Sequence, residues 1–297
     1  MRPQVFGNVT VEKVSELDRL ALDPNWLIGN ATAEGIAEER PWLGDAFIEP
    51  GTEKLIIGVH SYVVRTPSRV ILVDTCCGNG RHRGAESPFH DLRTNYLANL
   101  EGVGITPGDI DLVFCTHLHV DHVGWNVVER DGRFVPAFPK ARYLFNKRDF
   151  EHRLDFDRTG EGSFATRTAF RECVLPIVEG GRATFIDFGH AIERDIDHEL
   201  TLVSLPGHCP GHTGLQIKTR GGQALLTGDA IHHPVQLPKP DWFCAADLDP
   251  AVSSKTRREL IEAYADTDLI LLSAHFAGTT AGRIVSRHGV ARFAFSD

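Results

Sequence analysis

The 297-residue sequence predicts a layered α/β protein, and three observations carry that prediction. Short apolar runs of strand character recur in both halves of the chain. Runs suited to helices lie between them. The segments rich in His and Asp come where strands end. Sheets of this kind bury their faces under helices. A chain of this length buries a large core, as one large α/β domain or as two smaller ones.

The elements follow in order. Val9–Val14 alternates with period two and reads as a strand. Residues 23–50 hold Trp26, Trp42, Phe47 and three prolines, and are expected to form an irregular arm. Leu55–Arg65 and Val70–Val73 are strands joined by the hairpin turn Thr66-Pro67-Ser68-Arg69. Leu92–Leu100 reads as a helix, and Thr106-Pro107 as an N-cap and first position opening a helical turn. A strand over Asp111–Cys115 is followed by another at Tyr143–Phe145. Helices are expected over 147–156 and 165–178. Strands recur at Ala183–Ile186, Leu200–Leu205, Gly214–Lys218 and Ala224–Thr227. A helix over 250–265 precedes a last strand at Leu269–Leu272. The organisation expected is an N-terminal arm, 1–50, packing on the body or on a dimer partner, and one domain over 51–297.

Composition narrows the function classes. A hydrophobic fraction of 42% and a charged fraction of 24% are ordinary for a globular protein. The net charge of -9, with no basic run, disfavours a nucleic-acid partner. No apolar stretch is long enough to span a bilayer, and Met1–Gly7 lacks a signal-peptide core. A cytoplasmic protein with a small-molecule substrate and no membrane partner is expected. The six cysteines are scattered with no C-x-x-C, and read as reduced, buried thiols. A redox-sensitive thiol at Cys209 is the lesser alternative.

The chemistry concentrates in Thr116-His117-Leu118-His119-Val120-Asp121-His122. Imidazole and carboxylate suit zinc and related divalent ions. In an extended segment, residues i and i+2 project to the same side, so His117 and His119 can reach one ion together. Asp121 and His122 follow a change of direction and point elsewhere, towards a second ion. A lone His is usually a hydrogen-bonded surface or core residue. Four such donors at this spacing are not. Three more strand ends carry donors: Pro206-Gly207-His208-Cys209-Pro210-Gly211-His212, Gly228-Asp229 and Ser273-Ala274-His275.

Together these motifs resemble the metallo-β-lactamase fold hydrolases, with their H-x-H-x-D-H signature followed by a distant His, Asp and His. The resemblance runs from about Leu55 to the end, and Leu72-Val73-Asp74-Thr75 is similar to the family's early strand-end Asp. It implies an αββα four-layer sandwich and a binuclear metal-dependent hydrolase. His117, His119 and His208 would hold the first ion, and Asp121, His122 and His275 the second. Asp229 would bridge them. Asp74 and His212 would brace these ligands. The cofactor implied is two divalent ions, zinc first, with manganese, iron or cobalt also accepted by this donor set.

Asp at 229 rather than Cys disfavours a narrow β-lactamase role, and His119 rather than Glu disfavours the di-iron branch. The resemblance leans to lactonases, esterases and organophosphate hydrolases. The mechanism it implies is attack by a bridging hydroxide on a small ester or lactone, with Asp121 shuttling a proton. A phosphotriesterase is the alternative reading, and a non-catalytic sensor or an iron dioxygenase of the same fold stands behind it. Quorum-quenching lactonases of the family place Tyr three residues after the bridging Asp, where this chain has His232, followed by His233. His232 reads either as assisting catalysis or as a loop residue bracing the site. His60 reads as a satisfied core histidine. Trp125, His233, Trp242 and Phe276 are candidate substrate contacts, for which ordinary packing competes.

Overall fold

The protein's structure is a computed structural model that describes residues 1–296. The chain divides into two compact units. The first comprises Met1–Gly7, Leu17–Gly58 and the chain from Gly189 onward, and the second Asn8–Glu16 and Val59–Phe188. Strands β1 (Gln4–Phe6) and β2 (Val9–Leu22) open the chain. Helices α1 (Pro24–Leu27) and α2 (Ala33–Phe47) follow. Asp23 and Thr32 cap them, accepting from the N–H groups of Asn25 and Gly35 at 2.9 and 3.1 Å. Residues 23–50, expected to be irregular, are thus largely helical. Gly44, with φ of 60°, interrupts α2.

The second unit centres on a sheet whose register comes from apolar runs buried along their length. After β1 and β2, the strands of this seven-stranded sheet are β3 (Leu55–Arg65), which begins in the first unit, β4 (Val70–Val73), β5 (Leu112–Phe114), β8 (Arg142–Asn146) and β9 (Ala183–Ile186). β3 pairs antiparallel with β4, and β4, β5, β8 and β9 run parallel in that order. Near-continuous apolar strands are what a parallel sheet covered on both faces requires. A separate hairpin joins β6 (Val127–Arg130) and β7 (Arg133–Pro136) through Asp131-Gly132, both at positive φ. That dipeptide is a hairpin signal the sequence reading passed over.

The helices of this unit are α3 (Tyr96–Gly102), α4 (Val120–Val123), α5 (Lys147–Thr159), α6 (Phe164–Ala169) and α7 (Leu175–Glu179). α6 and α7 are joined by a π-helical stretch, Phe170–Val174, so the helix expected over 165–178 is not uniform. α3 starts at Tyr96 rather than Leu92, because the preceding residues pair with the loop at Asn79-Gly80: the Leu92 carbonyl accepts the Gly80 N–H at 2.9 Å and the Thr94 N–H donates to Asn79 Oδ1 at 2.8 Å. Thr106 opens a single turn, in which the Asp109 N–H donates to the Thr106 carbonyl at 2.9 Å and the Thr106 N–H and hydroxyl donate to Asp109 Oδ2 at 2.8 and 2.6 Å. Phe114, Phe138, Tyr143, Phe145 and Phe170 are fully buried at the centre of this unit.

The first unit holds a seven-stranded sheet in strict chain order, β10 to β16. These are β10 (Ala191–Arg194), β11 (His198–Ser204), β12 (Thr213–Thr219), β13 (Gly222–Leu226), β14 (Ile270–Leu272), β15 (Ala281–Arg287) and β16 (Val290–Phe295). Only β13 and β14 run parallel, so α8 (Pro250–Tyr264) provides the crossover. Asp249 caps α8 and Pro250 sits at its first position, where a missing N–H costs nothing. Ile28, Ile36, Phe47, Ile231, Leu271, Phe276 and Phe293 lie in the core of this unit. Each such side chain contributes about 1.5–3 kcal/mol on burial.

Candidate metal centre

In the second unit the strand ends create the geometry. β4 delivers Asp74 in the left-handed region, with φ of 58°. Its N–H donates to the Phe114 carbonyl at 2.8 Å, tying the end of β4 to the end of β5. Its carboxylate receives the Thr116 N–H at 2.7 Å and the Thr116 hydroxyl at 2.9 Å. The same carboxylate lies 2.9 Å from His122 Nδ1. One buried carboxylate therefore fixes both the first and the last residue of the His-rich run.

The run opens extended and then turns. His119 has β-type backbone angles and precedes α4, which carries Asp121 and His122. His117 Nδ1 lies 3.1 Å from the Thr116 hydroxyl. That hydroxyl already donates to Asp74, so it accepts from His117 and leaves Nε2 with its lone pair. His117 Nε2 and His119 Nδ1 converge to 2.9 Å. His122 Nδ1 faces Asp74, and its Nε2 lies 3.8 Å from Asp121 Oδ1. Asp149, paired with Arg153 at 3.3 Å, accepts the Leu118 N–H at 2.6 Å and holds the middle of the run.

In the first unit β11 leads to His208 through Gly207, whose φ is 122°. His208 Nδ1 lies 2.9 Å from Asp247 Oδ1. Its Nε2 is 3.4 Å from Asp229 Oδ2. His275 Nδ1 bonds the Gly58 carbonyl at 3.0 Å, and its Nε2 is 3.2 Å from Asp229 Oδ1. His232 Nε2 is 3.0 Å from Asp229 Oδ2, and the His232 and His275 rings stack with centroids 5.5 Å apart. Asp229, His232 and His275 each offer a donor atom within 4.8 Å of the others, and all three are buried. His212 differs. It receives the Asp229 N–H on Nε2 at 2.9 Å and bonds the Leu205 carbonyl through Nδ1 at 2.6 Å. Both its nitrogens are engaged, so it holds the Asp229 turn.

Electrostatics follow from burial. Burial pushes the Asp247 carboxyl up, but the bond to His208, its charge and that of His232 outweigh this and bring it down to about 2. Burial pushes His232 down, yet Cys244 and Asp229 beside it hold its pKa well above the usual imidazole range. Burial lowers His233 to about 4, against the opposing bond to the Phe47 carbonyl.

These donors fit divalent ions. His117, His208 and His275 each bond an oxygen through Nδ1, the arrangement by which proteins orient metal-binding imidazoles. Buried carboxylate and neutral imidazole together suit zinc-like ions.

Four residues expected at the substrate have other occupations. His233 accepts the Val235 N–H at 3.2 Å and bonds the Phe47 carbonyl at 3.0 Å, capping the turn Pro234–Gln236. Phe276 packs among Phe47, Phe293 and Phe295. Trp242 is buried in the first unit's core, hard against Gly35 of α2. Trp125 donates to Glu16 at 2.6 Å and stacks on Tyr96. The sequence reading missed Asp247, which orients His208 from 39 residues away, and Cys244, near both His208 and His232.

Residues 57–275 match the family model described as the metallo-beta-lactamase superfamily. The N-acyl homoserine lactonase AttM of Azorhizobium caulinodans is 29% identical over 172 residues, 56% of this chain and 59% of the relative. The N-acyl homoserine lactonase AiiA of Bacillus thuringiensis subsp. kurstaki is 27% identical over 236 residues, 72% of this chain and 80% of the relative. Among solved structures, the hydrolase AbOPH in the beta lactamase superfamily superposes with a TM-score of 0.80 at 21% identity, covering 99% of this chain and 98% of that one. The dizinc quorum-quenching lactonase AidC, in complex with a product, gives a TM-score of 0.78 at 20% identity, covering 100% and 97%.

Proposed function

The chain belongs to the metallo-β-lactamase superfamily of metal-dependent hydrolases, and we propose that it hydrolyses a small lactone or ester at a two-metal centre. The observation that carries this reading is the pair of imidazoles oriented through Nδ1, His208 and His275, whose Nε2 atoms lie 3.4 and 3.2 Å from the buried carboxylate of Asp229. The lactonase names of the matched relatives support the substrate class.

In this reading His117, His119 and His208 would hold one ion and Asp121, His122 and His275 the other, with Asp229 available to both. Zinc is the ion favoured by the donor set. When bound, the ions would activate water at neutral pH and supply Lewis acidity towards the substrate oxygen. The chain's own residues do the rest. Asp74 keeps the His122 and His117 ends of the run in register. Asp247 fixes the His208 tautomer, and the Gly58 carbonyl that of His275. Asp121, only partly buried, carries a proton to the departing oxygen. His232 holds Asp229 and steers the leaving oxygen.

The test is a parallel panel of lactones, aryl esters and phosphotriesters with the purified chain and its His119→Ala variant. The reading expects lactone or ester turnover that falls about a hundredfold in the variant. Preference for triesters would move the substrate class. Full metal content and full activity in the variant would end the proposal.

A further inference from the structure

Cys244 is a buried thiol that the hydrolytic scheme leaves unused. It lies with His208 and His232 in one group, each offering a donor atom within 4.8 Å of the others, all three buried. The surroundings hold this group in place. Asp247 bonds His208 through Oδ1 at 2.9 Å and receives the Cys244 N–H on Oδ2 at 3.0 Å. One carboxylate thus anchors two members. The Ala246 N–H donates to Cys244 Sγ at 3.4 Å. The Cys244 backbone bridges Ile28, and the Ala245 N–H bonds the Leu27 carbonyl at 3.0 Å. The His232 N–H is held by Gln236 at 2.7 Å.

We propose that His208, His232 and Cys244 form a second position for a divalent cation, with two imidazole nitrogens and one thiolate as donors. Such a set favours borderline-soft ions, such as zinc, cobalt and cadmium, over magnesium or calcium. Binding displaces the thiol proton, and the second proton of a charged His232 ring, to solvent and forms the metal–sulfur and metal–nitrogen bonds, with no redox change. His208 has one lone pair to give, since Nδ1 is committed to Asp247. An ion here therefore excludes His208 from the first ion of the hydrolytic centre. The position is an alternative seat and does not raise the total number of ions. It rests on the proposed function only in sharing His208.

The test uses the full chain loaded with cobalt(II). Metal content is measured alongside the near-ultraviolet absorption that thiolate-to-cobalt charge transfer produces. The band is expected in the wild type and at least twice as strong in His119→Ala, where His208 has lost a partner ligand. It is expected to vanish in Cys244→Ser and to persist in Cys209→Ser. Absence of the band from both wild type and His119→Ala overturns the proposal, and those two spectra decide it if Cys244→Ser fails to fold. A band that survives Cys244→Ser and is lost in Cys209→Ser overturns it too. Lactone opening without the band removes this inference alone. The band without any hydrolysis leaves it standing and removes the proposed function.

Discussion

At the residue scale, the candidate centre is organised by carboxylates that need not touch an ion. Asp74 binds Thr116 and His122, and Asp247 binds His208 and the Cys244 backbone. Orienting partners of this kind typically cost 10–100-fold in metal affinity when removed. Asp74→Ala is expected to weaken metal binding by about that factor, read by competition with a chromophoric chelator. Unchanged affinity would show that the run holds its shape unaided. His233 gives a second prediction. Its folded-state value of about 4 lies below the ordinary 6.5, so the unfolded chain binds the proton more readily. The stabilisation is complete above pH 6.5 and is lost as pH falls from there to 4, by about 3 kcal/mol. Urea titrations between pH 7 and pH 4 are expected to show that loss, and to show it reduced in His233→Gln. An identical pH dependence in the variant would place the titrating group elsewhere. Asp247 was not legible in the sequence, because it lies in a loop 39 residues from its partner with no periodicity to mark it.

At the element scale, the donors arrive where strands end, and glycines make the turns possible. A Cβ on Gly207 would lie 2.2 Å from the Ser253 nitrogen, and the residue has φ of 122°. Gly207→Ala must therefore move His208 or the start of α8. Strain of this kind costs about 1–3 kcal/mol or more. The variant is expected to lose that much stability in denaturant titration and to bind metal more weakly; a native midpoint with native metal affinity would contradict the geometry. The strands after which His117, His208, Asp229 and His275 sit were legible, since each is a short apolar run closed by a small or turn-forming residue. The β15–β16 hairpin was not read, although its turn His288-Gly289, both at positive φ, carries a recognisable glycine signal. The π-helical stretch at Phe170–Val174 left no mark, because its apolar residues also fit an ordinary helix.

For the whole molecule, the family was legible in the H-x-H-x-D-H run and the later His, Asp and His, because its motifs restrict residue type and spacing. The division into two units was not, because β2 and β3 each pass from one unit to the other without a linker or a change in composition. The candidate substrate contacts fared least well: His233, Trp125, Trp242 and Phe276 are large side chains near motifs, and packing claims each of them. Ions bound to the folded chain stabilise it by mass action, about 2.7 kcal/mol at a hundredfold excess over Kd. Chelation is accordingly expected to lower the melting temperature, and no shift on chelation would count against metal bound by the folded state. The central claim is tested most directly by titrating chelator-stripped protein with zinc while following lactone ring opening. The account predicts no turnover without metal and a rate that saturates near about two equivalents per chain. Turnover that is independent of zinc, or none at full zinc occupancy on any lactone or ester, would contradict it.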